Sequence, residues 1–576
     1  MIQKFMQDYS IPGGTVAITK DGRLIYNRAF GYADAAHNEP TQPYHIFRIA
    51  SNSKAITSIA VMKLIEGGQL GLNDTVFGAN RILTQPYYLN AITDNRIYSI
   101  TVKQLLEHTA GWDRDINCDG YSGCDPIGFP THVASVLGEA NPVGDSSMIK
   151  FLLQKGLNYA PGATYAYSNV GYLILGKVIE KKTGMKYEAY VSSVIMQPLG
   201  LCDMHLGKNL LADKQEREGE YIAAATTVSC YGTGQQVPWQ YGGFNLEAMN
   251  AHGQWISSSE DYVRMILAVD GFSTVPDILS PASIITMTTP SSANAGYAKG
   301  WSVNQYNNWW HTGALDGTST FMARTAGGYT WAFHFNSRSN NSNAYWSALD
   351  ALPWNCLAAT ATFPSYNLFA PSQQAGALAV SKTGATTVHL SWTNGNGNTR
   401  LVVAREAAGW KRFPVAGTDY TASSTYGSGQ DVGNNTYVVY NGTGTTVDVS
   451  GLDPAKTYYF SIFEGTKSAA TGNYSVYKYG CRPSASINMM ATAVESVQGQ
   501  GMLQASPNPV TGGILTIENN RNSLTGQAAI LTDITGRTLQ TIRIGYGSQR
   551  VDVSMLASGV YFLRLADGSA LKILKQ

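Results

Sequence analysis

The chain has 576 residues, with 40 Lys and Arg against 39 Asp and Glu. That length exceeds what one hydrophobic core fills and predicts about three domains, while a net charge of +1 with only 14% charged residues leaves no basic face for nucleic acid. No apolar run reaches the roughly 18–20 residues that span a bilayer, and the start, MIQKFMQDYSIPGG, lacks the apolar core of a signal peptide.

In chain order, TVAITKDGRLIYNRAFGYAD alternates apolar and polar residues about Asp21-Gly22, the pattern of a β-hairpin. From Ser53 to Glu66 the chain is apolar nearly all round and stops at Gly67-Gly68, which predicts a buried helix. Helical patterns continue through YLILGKVIEKKTG, and strand patterns return in STFMART and YTWAFHFNS. Strands at both ends with helices between predict an α/β domain over 1–360 whose sheet joins its two ends. From about 368 to 488, short strand patterns with Gly, Asn and Thr turns predict an all-β sandwich. A linker at 489–504 and a strand-rich tail at 505–576 complete the organisation.

The six cysteines form no C-x-x-C pair and no Cys/His cluster with zinc spacing, so disulfides are expected instead, CDGYSGC being the easiest to close. In GWDRDINCDGYSGCDP, Asp113, Asp115, Asn117 and Asp119 alternate as in a calcium loop. Cys118 stands where such a loop needs Gly, and no Glu closes it, so the expectation is a disulfide-closed lid beside a site, with no metal. His334 and His389 fall in strand patterns and are expected to be surface or packing residues.

Ser-x-x-Lys occurs four times, at Ser51/Lys54, Ser147/Lys150, Ser475/Lys478 and Ser569/Lys572. On a helix, residues three apart share a face. The helix N-terminus favours a developing alkoxide, and burial depresses a lysine from its free pKa of ~10.4 toward that of a working base. Ser475 and Ser569 lie in strand-like sequence, where residues three apart point to opposite faces. Ser51 and Ser147 both open apolar helices, and the residues alone leave both open.

IFRIASNSKAITSIAVMKLIEGGQLGLND resembles the nucleophile segment of the class C β-lactamase, penicillin-binding protein and peptidase S12 superfamily, whose first Ser of Ser-x-Ser-Lys is acylated. QLLEHTAGW resembles its Leu-Leu-x-His-Thr-Ser-Gly segment, with Ala110 in place of Ser; YAYSNVGYLILG matches its Tyr-x-Asn element, and WWHTGALDGTSTF its Lys/His-Thr-Gly strand. The resemblance implies an antiparallel sheet with flanking helices plus a helical subdomain. It also implies Ser51 as nucleophile with Lys54 and Tyr167 as its proton-transfer partners, and substrate or oxyanion contacts from Asn169, His311, Thr312, Gly313 and Ala314. No cofactor is implied. His311 replaces a lysine typical of the β-lactamases. That favours small esters or D-amino-acid peptides and amides as substrates over β-lactams, and predicts an acid limb near a free histidine's pKa of ~6.5. Penicillin binding or β-lactam hydrolysis is the alternative, and a catalytically dead adhesion protein the rival of another class.

TVHLSWT followed by LDPAKTYYFSIF resembles the fibronectin type III pattern, with Trp392 in the core and Tyr458 as corner tyrosine. The tail resembles the C-terminal sorting domain of type IX secretion substrates through Pro507-Asn508-Pro509, Asp533-x-x-Gly536-Arg537, Gly559-Val560-Tyr561 and Lys572-Ile573-Leu574-Lys575. The fold class these resemblances imply is thus α/β, a β-lactamase/transpeptidase-like domain followed by two all-β sandwiches. The resemblance implies secretion or surface attachment in a Gram-negative bacterium, the type IX machinery as partner, and an export signal not present in MIQKFMQDYSIPGG.

Overall fold

Asp21 and Gly22 both take left-handed backbone conformations (φ 48° and 78°), the geometry a tight hairpin turn of the right twist requires. They join strands β1 (Gly13–Lys20) and β2 (Arg23–Gly31). The computed structural model describes residues 1–339, 343–360, 362–468, 474–490, 503–519, 524–565 and 570–576; Ser569 and most of the expected linker, 491–502, lie outside the described residues.

Four later strands complete the sheet: β3 (Ser302–Val303), β4 (Trp309–Leu315), β5 (Thr318–Arg324) and β6 (Tyr329–Phe335), in the antiparallel order β2-β1-β6-β5-β4-β3. The two ends of the predicted α/β domain therefore meet, β1 pairing with β6 from Gly14 opposite Phe335 to Lys20 opposite Tyr329. Period-two alternation divides the sheet's faces. Val16, Ile18, Phe321 and Phe333 pack against helices α1 (Ile2–Asp8) and, at the far end, Asn343–Ala359. Ala17, Met322 and Ala332 face the large helical core on the other side.

That core holds α2 (Ser53–Glu66), which is buried on every side from Ser53 to Met62. Each fully buried Ile in it, such as Ile56 and Ile59, contributes about 1.5–3 kcal/mol. Beside it runs α3 (Asn169–Thr183), whose first turn is capped by Ser168 Oγ accepting from the Gly171 amide.

The middle segment is a two-sheet sandwich. One sheet pairs Gly376–Lys382, Val388–Thr393 and Thr446–Val449; the other orders Tyr437–Gly442, Thr399–Arg405, Thr457–Ser468 and Tyr474–Tyr477, with Ser484–Asn488 also on Thr457–Ser468. Residues Met1–Met489 form a single compact unit, because the sandwich shares buried groups with the front of the chain. Tyr44 lies in the sandwich's second core, with its ring 5.2 Å from Phe413 and 4.9 Å from Tyr479. Lys478 Nζ donates to Gly200 O at 2.7 Å, and Cys202 and Cys481 are disulfide-bonded.

The second unit, Met490–Gln576, has its own core of Val510, Leu515, Ile517, Leu531, Leu563 and Ile573. Its sequence elements are structural closures. The Asp533 carboxylate accepts from the Thr535 and Arg537 amides around Gly536, which lies at φ 86°. Asn508 binds one edge of the last strand twice, donating to Lys572 O and accepting from the Leu574 amide.

The disulfide Cys118–Cys124 closes as expected. Cys230 and Cys356 are free thiols. His334 is fully buried, whereas His389 is half-buried beside Asp448.

Candidate active site

Ser51 sits in a short 3-10 turn, Ala50–Asn52, just ahead of α2. Ala50 holds φ 49°, a left-handed conformation costly for a residue with a Cβ. Neighbouring side chains over-determine it. Thr318 Oγ1 donates to Arg48 O, Thr320 Oγ1 to Ile49 O, and Tyr262 Oη to Asn52 O. Gly313 on β4 is required by the same packing, since a Cβ there would stand 2.1 Å from Ile49 O.

Lys54, fully buried one helical turn on, places Nζ 3.1 Å from Ser51 Oγ, 2.8 Å from Asn169 Oδ1 and 3.2 Å from His252 O. Two of these three partners can only accept. In the neutral amine the two N–H bonds satisfy them, and the lone pair is left for the Ser51 hydroxyl. Burial holds the Lys54 pKa well below the ordinary lysine range, the positive charge of Arg114 lowers it further, and Asp125 opposes.

Tyr167 hydrogen-bonds Ser51, and burial raises its phenol above the usual range. Its ring centroid lies 4.7 Å from Lys54 Nζ and 4.5 Å from the Arg114 guanidinium carbon. Asn169, the first residue of α3, is clamped from behind, its Nδ2 donating to Asp125 Oδ2 at 2.6 Å. That contact fixes which amide atom faces Lys54.

His311 is buried beneath the site, and its environment fixes its proton. Nδ1 donates to Thr312 O at 2.6 Å, and Nε2 lies 3.4 Å from Tyr297 Oη. His108 continues this chain, with Nδ1 accepting from the Ser168 amide and Nε2 3.1 Å from Tyr297 Oη. Burial and the nearby Lys54 push His311 down to about 3. The acid limb expected near 6.5 therefore cannot come from His311.

The structure thus gathers Ser51, Lys54, Tyr167, Asn169 and His311. Gly313 lies against the Ser51 turn. Thr312 does not join them through its side chain: it is exposed on the opposite face of β4 with Trp310, Phe321 and Trp346, and only its carbonyl reaches His311. Ala314, half-buried, follows Gly313 on the strand.

Ser147 has a different environment. Its hydroxyl and Lys150 Nζ both bind Glu139, the lysine at 3.1 Å, so Lys150 is ion-paired to a carboxylate and is not directed at Ser147. Ser475 is buried in a sandwich strand, and Lys478 is spent on Gly200 O.

Sequence reasoning missed Arg114, Asp125, His108, His252 and Tyr297. The only signals were indirect: Arg114 and Asp125 bracket the disulfide loop, and His108 lies in QLLEHTAGW.

Residues 1–352 match the Beta-lactamase family. The chain belongs to that family. Residues 505–576 match the secretion system C-terminal sorting domain. Curated relatives include Protein flp of Staphylococcus aureus strain MRSA252, 27% identical over 56% of this chain and 58% of the relative. Penicillin-binding protein 4* of Bacillus subtilis is 27% identical over 54% of this chain and 65% of its own length. The chain thus spans about three-fifths of the relatives it matches. Among solved structures, an octameric penicillin-binding protein homologue from Pyrococcus abyssi aligns at TM-score 0.45 and 20% identity, covering 83% of this chain and 98% of that one. D-amino acid amidase from Ochrobactrum anthropi SV3 aligns at TM-score 0.47 and 20% identity, covering 62% and 97%. Both scores are too low to add to the family assignment. Among the described residues no helix is long and apolar enough to cross a membrane.

Proposed function

We propose that this chain is a secreted serine acyl hydrolase acting on small esters or on D-amino-acid peptides and amides. The observation that carries the reading is the buried Lys54 Nζ 3.1 Å from Ser51 Oγ, with both other partners acceptors only. Ser51 Oγ attacks the substrate carbonyl carbon while its proton passes to neutral Lys54. The amides of Ser51 and Ala314 hold the oxyanion. Tyr167, kept as a phenol by burial, relays the proton to the leaving group as the tetrahedral intermediate collapses, and water then cleaves the acyl-enzyme. Asn169 positions the acyl side of the substrate, and His311, neutral and hydrogen-bonded through the Thr312 carbonyl, supports the strand carrying Gly313 and Ala314.

A second reading is favoured by the likeness to penicillin-binding protein 4* of Bacillus subtilis, namely binding or slow hydrolysis of penicillin through the same serine. Initial rates on short-chain nitrophenyl esters, a D-Ala-D-Ala peptide and a chromogenic cephalosporin separate the two. Turnover of the ester or peptide with stoichiometric labelling of Ser51 supports the first reading. Absence of labelling by both a fluorophosphonate and a penicillin would sink both and leave the adhesion protein.

For the other segments we propose division near residues 360 and 489, with the middle sandwich of fibronectin type III kind. This is supported by its two packed antiparallel sheets of three and five strands, by Trp392 buried in one core with Tyr458, and by the Asp453 amide donating to the Tyr458 hydroxyl at 2.8 Å. The tail would deliver the protein through the type IX machinery.

A further inference from the structure

Arg114 enters the site from the disulfide-closed loop. Its backbone carbonyl accepts from the Cys124 amide at 2.8 Å, and a Cβ at Gly123 would stand 2.7 Å from that same oxygen. The loop closure therefore fixes where Arg114 leaves the main chain. The guanidinium carbon then lies 4.5 Å from the centroid of the Tyr167 ring, within the range of a cation on an aromatic face.

The protein neutralises that charge only in part. Among the described residues its one ion pair is with Asp115, at 3.7 Å and with the carboxylate 83% exposed. Asp113 is bound to the Tyr159 hydroxyl and the Asp115 amide, and Asp119 to Lys155 and His132. Asp125, hydrogen-bonded to Asn169, makes no ion pair with Arg114 among the described residues, although the arginine's charge works against the rise that burial gives its pKa. The Arg114 side chain is itself 40% exposed, so a solute reaching Ser51 can touch it. Among the described residues nothing else near the reacting atoms supplies a permanent cation. Lys54 is enclosed behind Ser51, and His108, His252 and His311 are buried and kept neutral. Arginine presents paired N–H donors that match a carboxylate in two-point geometry.

We propose that Arg114 is the substrate-recognition residue of this site and that it selects acyl compounds carrying a carboxylate beside the scissile bond. The inference rests on the acyl hydrolase reading above and names its substrate class. It gives the insertion a chemical role, because the family position that carries lysine in β-lactamases is here His311, which has no charge to offer. The carboxylate can sit on the acyl portion or on the leaving group, and Tyr167 borders both.

Two matched pairs of esters test it at pH 7. Mono-p-nitrophenyl glutarate against p-nitrophenyl butyrate places the carboxylate on the acyl side; 4-carboxyphenyl butyrate against 4-carbamoylphenyl butyrate places it on the leaving group. The quantity read is the ratio of kcat/KM for the anionic over the neutral member of each pair. In one pair, Arg114→Gln lowers that ratio at least tenfold, whereas Arg114→Lys keeps it within about threefold. Raising the salt from 0.05 to 0.5 M lowers the same ratio in the wild-type protein, which reads the charge even if a variant folds poorly. Ratios unmoved by Arg114→Gln in both pairs overturn the proposal. So does an equal loss on both members of each pair, which would leave Arg114 only positioning Tyr167. If no ester turns over in the wild-type protein, the hydrolase reading falls with it.

Discussion

Lys54 Nζ stands 3.1 Å from Ser51 Oγ, and among the described residues no carboxylate lies within ion-pair distance of it. The other helix-opening Ser-x-x-Lys pair has the opposite arrangement, with Lys150 3.1 Å from Glu139. A carboxylate beside Lys150 compensates its charge and occupies its donors, whereas burial with no such partner favours loss of the proton from Lys54. The two pairs therefore make opposite predictions. Ser51→Ala lowers kcat at least about a thousandfold with the fold intact, and Ser147→Ala stays within about twofold. Peptide mapping of covalently labelled protein reports the same choice independently.

The acid limb of kcat/KM follows Lys54. Its pKa is depressed, so activity rises with pH as the amine loses its proton and is flat above. His311, at about 3, adds no limb between pH 4 and 8. Arg114 contributes to the depression of Lys54, so Arg114→Gln moves the midpoint to higher pH with either charge type of substrate. A His311→Asn profile whose midpoint shifts by more than about half a unit would show that His311 titrates in the working range after all.

Asp125 orients Asn169 from behind. Asp125→Ala frees the carboxamide to rotate and lowers kcat/KM about ten- to a hundredfold, the scale seen when a hydrogen bond behind a functional ligand is removed. Removing its charge also lowers the pKa of Lys54 further, so the midpoint of the acid limb falls. Asp125→Asn keeps an oxygen acceptor and recovers most of the activity. Equal damage from both substitutions would contradict an orienting role.

Truncation after Met489 leaves the unit Met1–Met489 whole, and its melting temperature and ester turnover match those of the full chain. Truncation after residue 365 is different. It removes the ring partners of Tyr44, the Lys478 contact with Gly200 and the Cys202–Cys481 bond. Arg217 and Asp203, a buried ion pair beside the sandwich, lose their cover. The expected loss is about 3 kcal/mol or more, read as a lower urea midpoint. Equal midpoints for the two truncations would mean that the sandwich is a passenger.

His334 predicts the acid sensitivity of the fold. Burial pushes its pKa down to about 3, while the unfolded chain takes up that proton near pH 6.5. The contribution is thus complete above about pH 6.5 and is lost as pH falls toward 3, by up to ~1.4 kcal/mol per unit. His334→Leu makes stability between pH 6.5 and 4.5 less steep by up to roughly 2.7 kcal/mol, measurable by urea melts at the two pH values.

Short-range features of this protein were legible in its residues, because they depend on neighbours in the chain. The Asp21-Gly22 turn, the all-round apolar Ser53–Glu66 helix, the small Cys118–Cys124 loop and the three-residue spacing of Ser51 and Lys54 all follow from local periodicity and turn chemistry. Resemblance supplied the family and the tail. What remained undecided was whatever depends on desolvation and on contacts between distant segments. Glu139 disarms Lys150 from a position outside its helix, and enclosure by the sheet removes the charge from His311. Thr312 turns away from Ser51 because residues alternate along the strand whose glycine admits Ile49 O. Cys202 finds Cys481 across a sequence separation of 279 residues. Arg114 and Asp125 read as two charges in a polar insertion. Only the folded loop sets one over the Tyr167 ring and the other behind Asn169, near enough for each charge to be felt by Lys54.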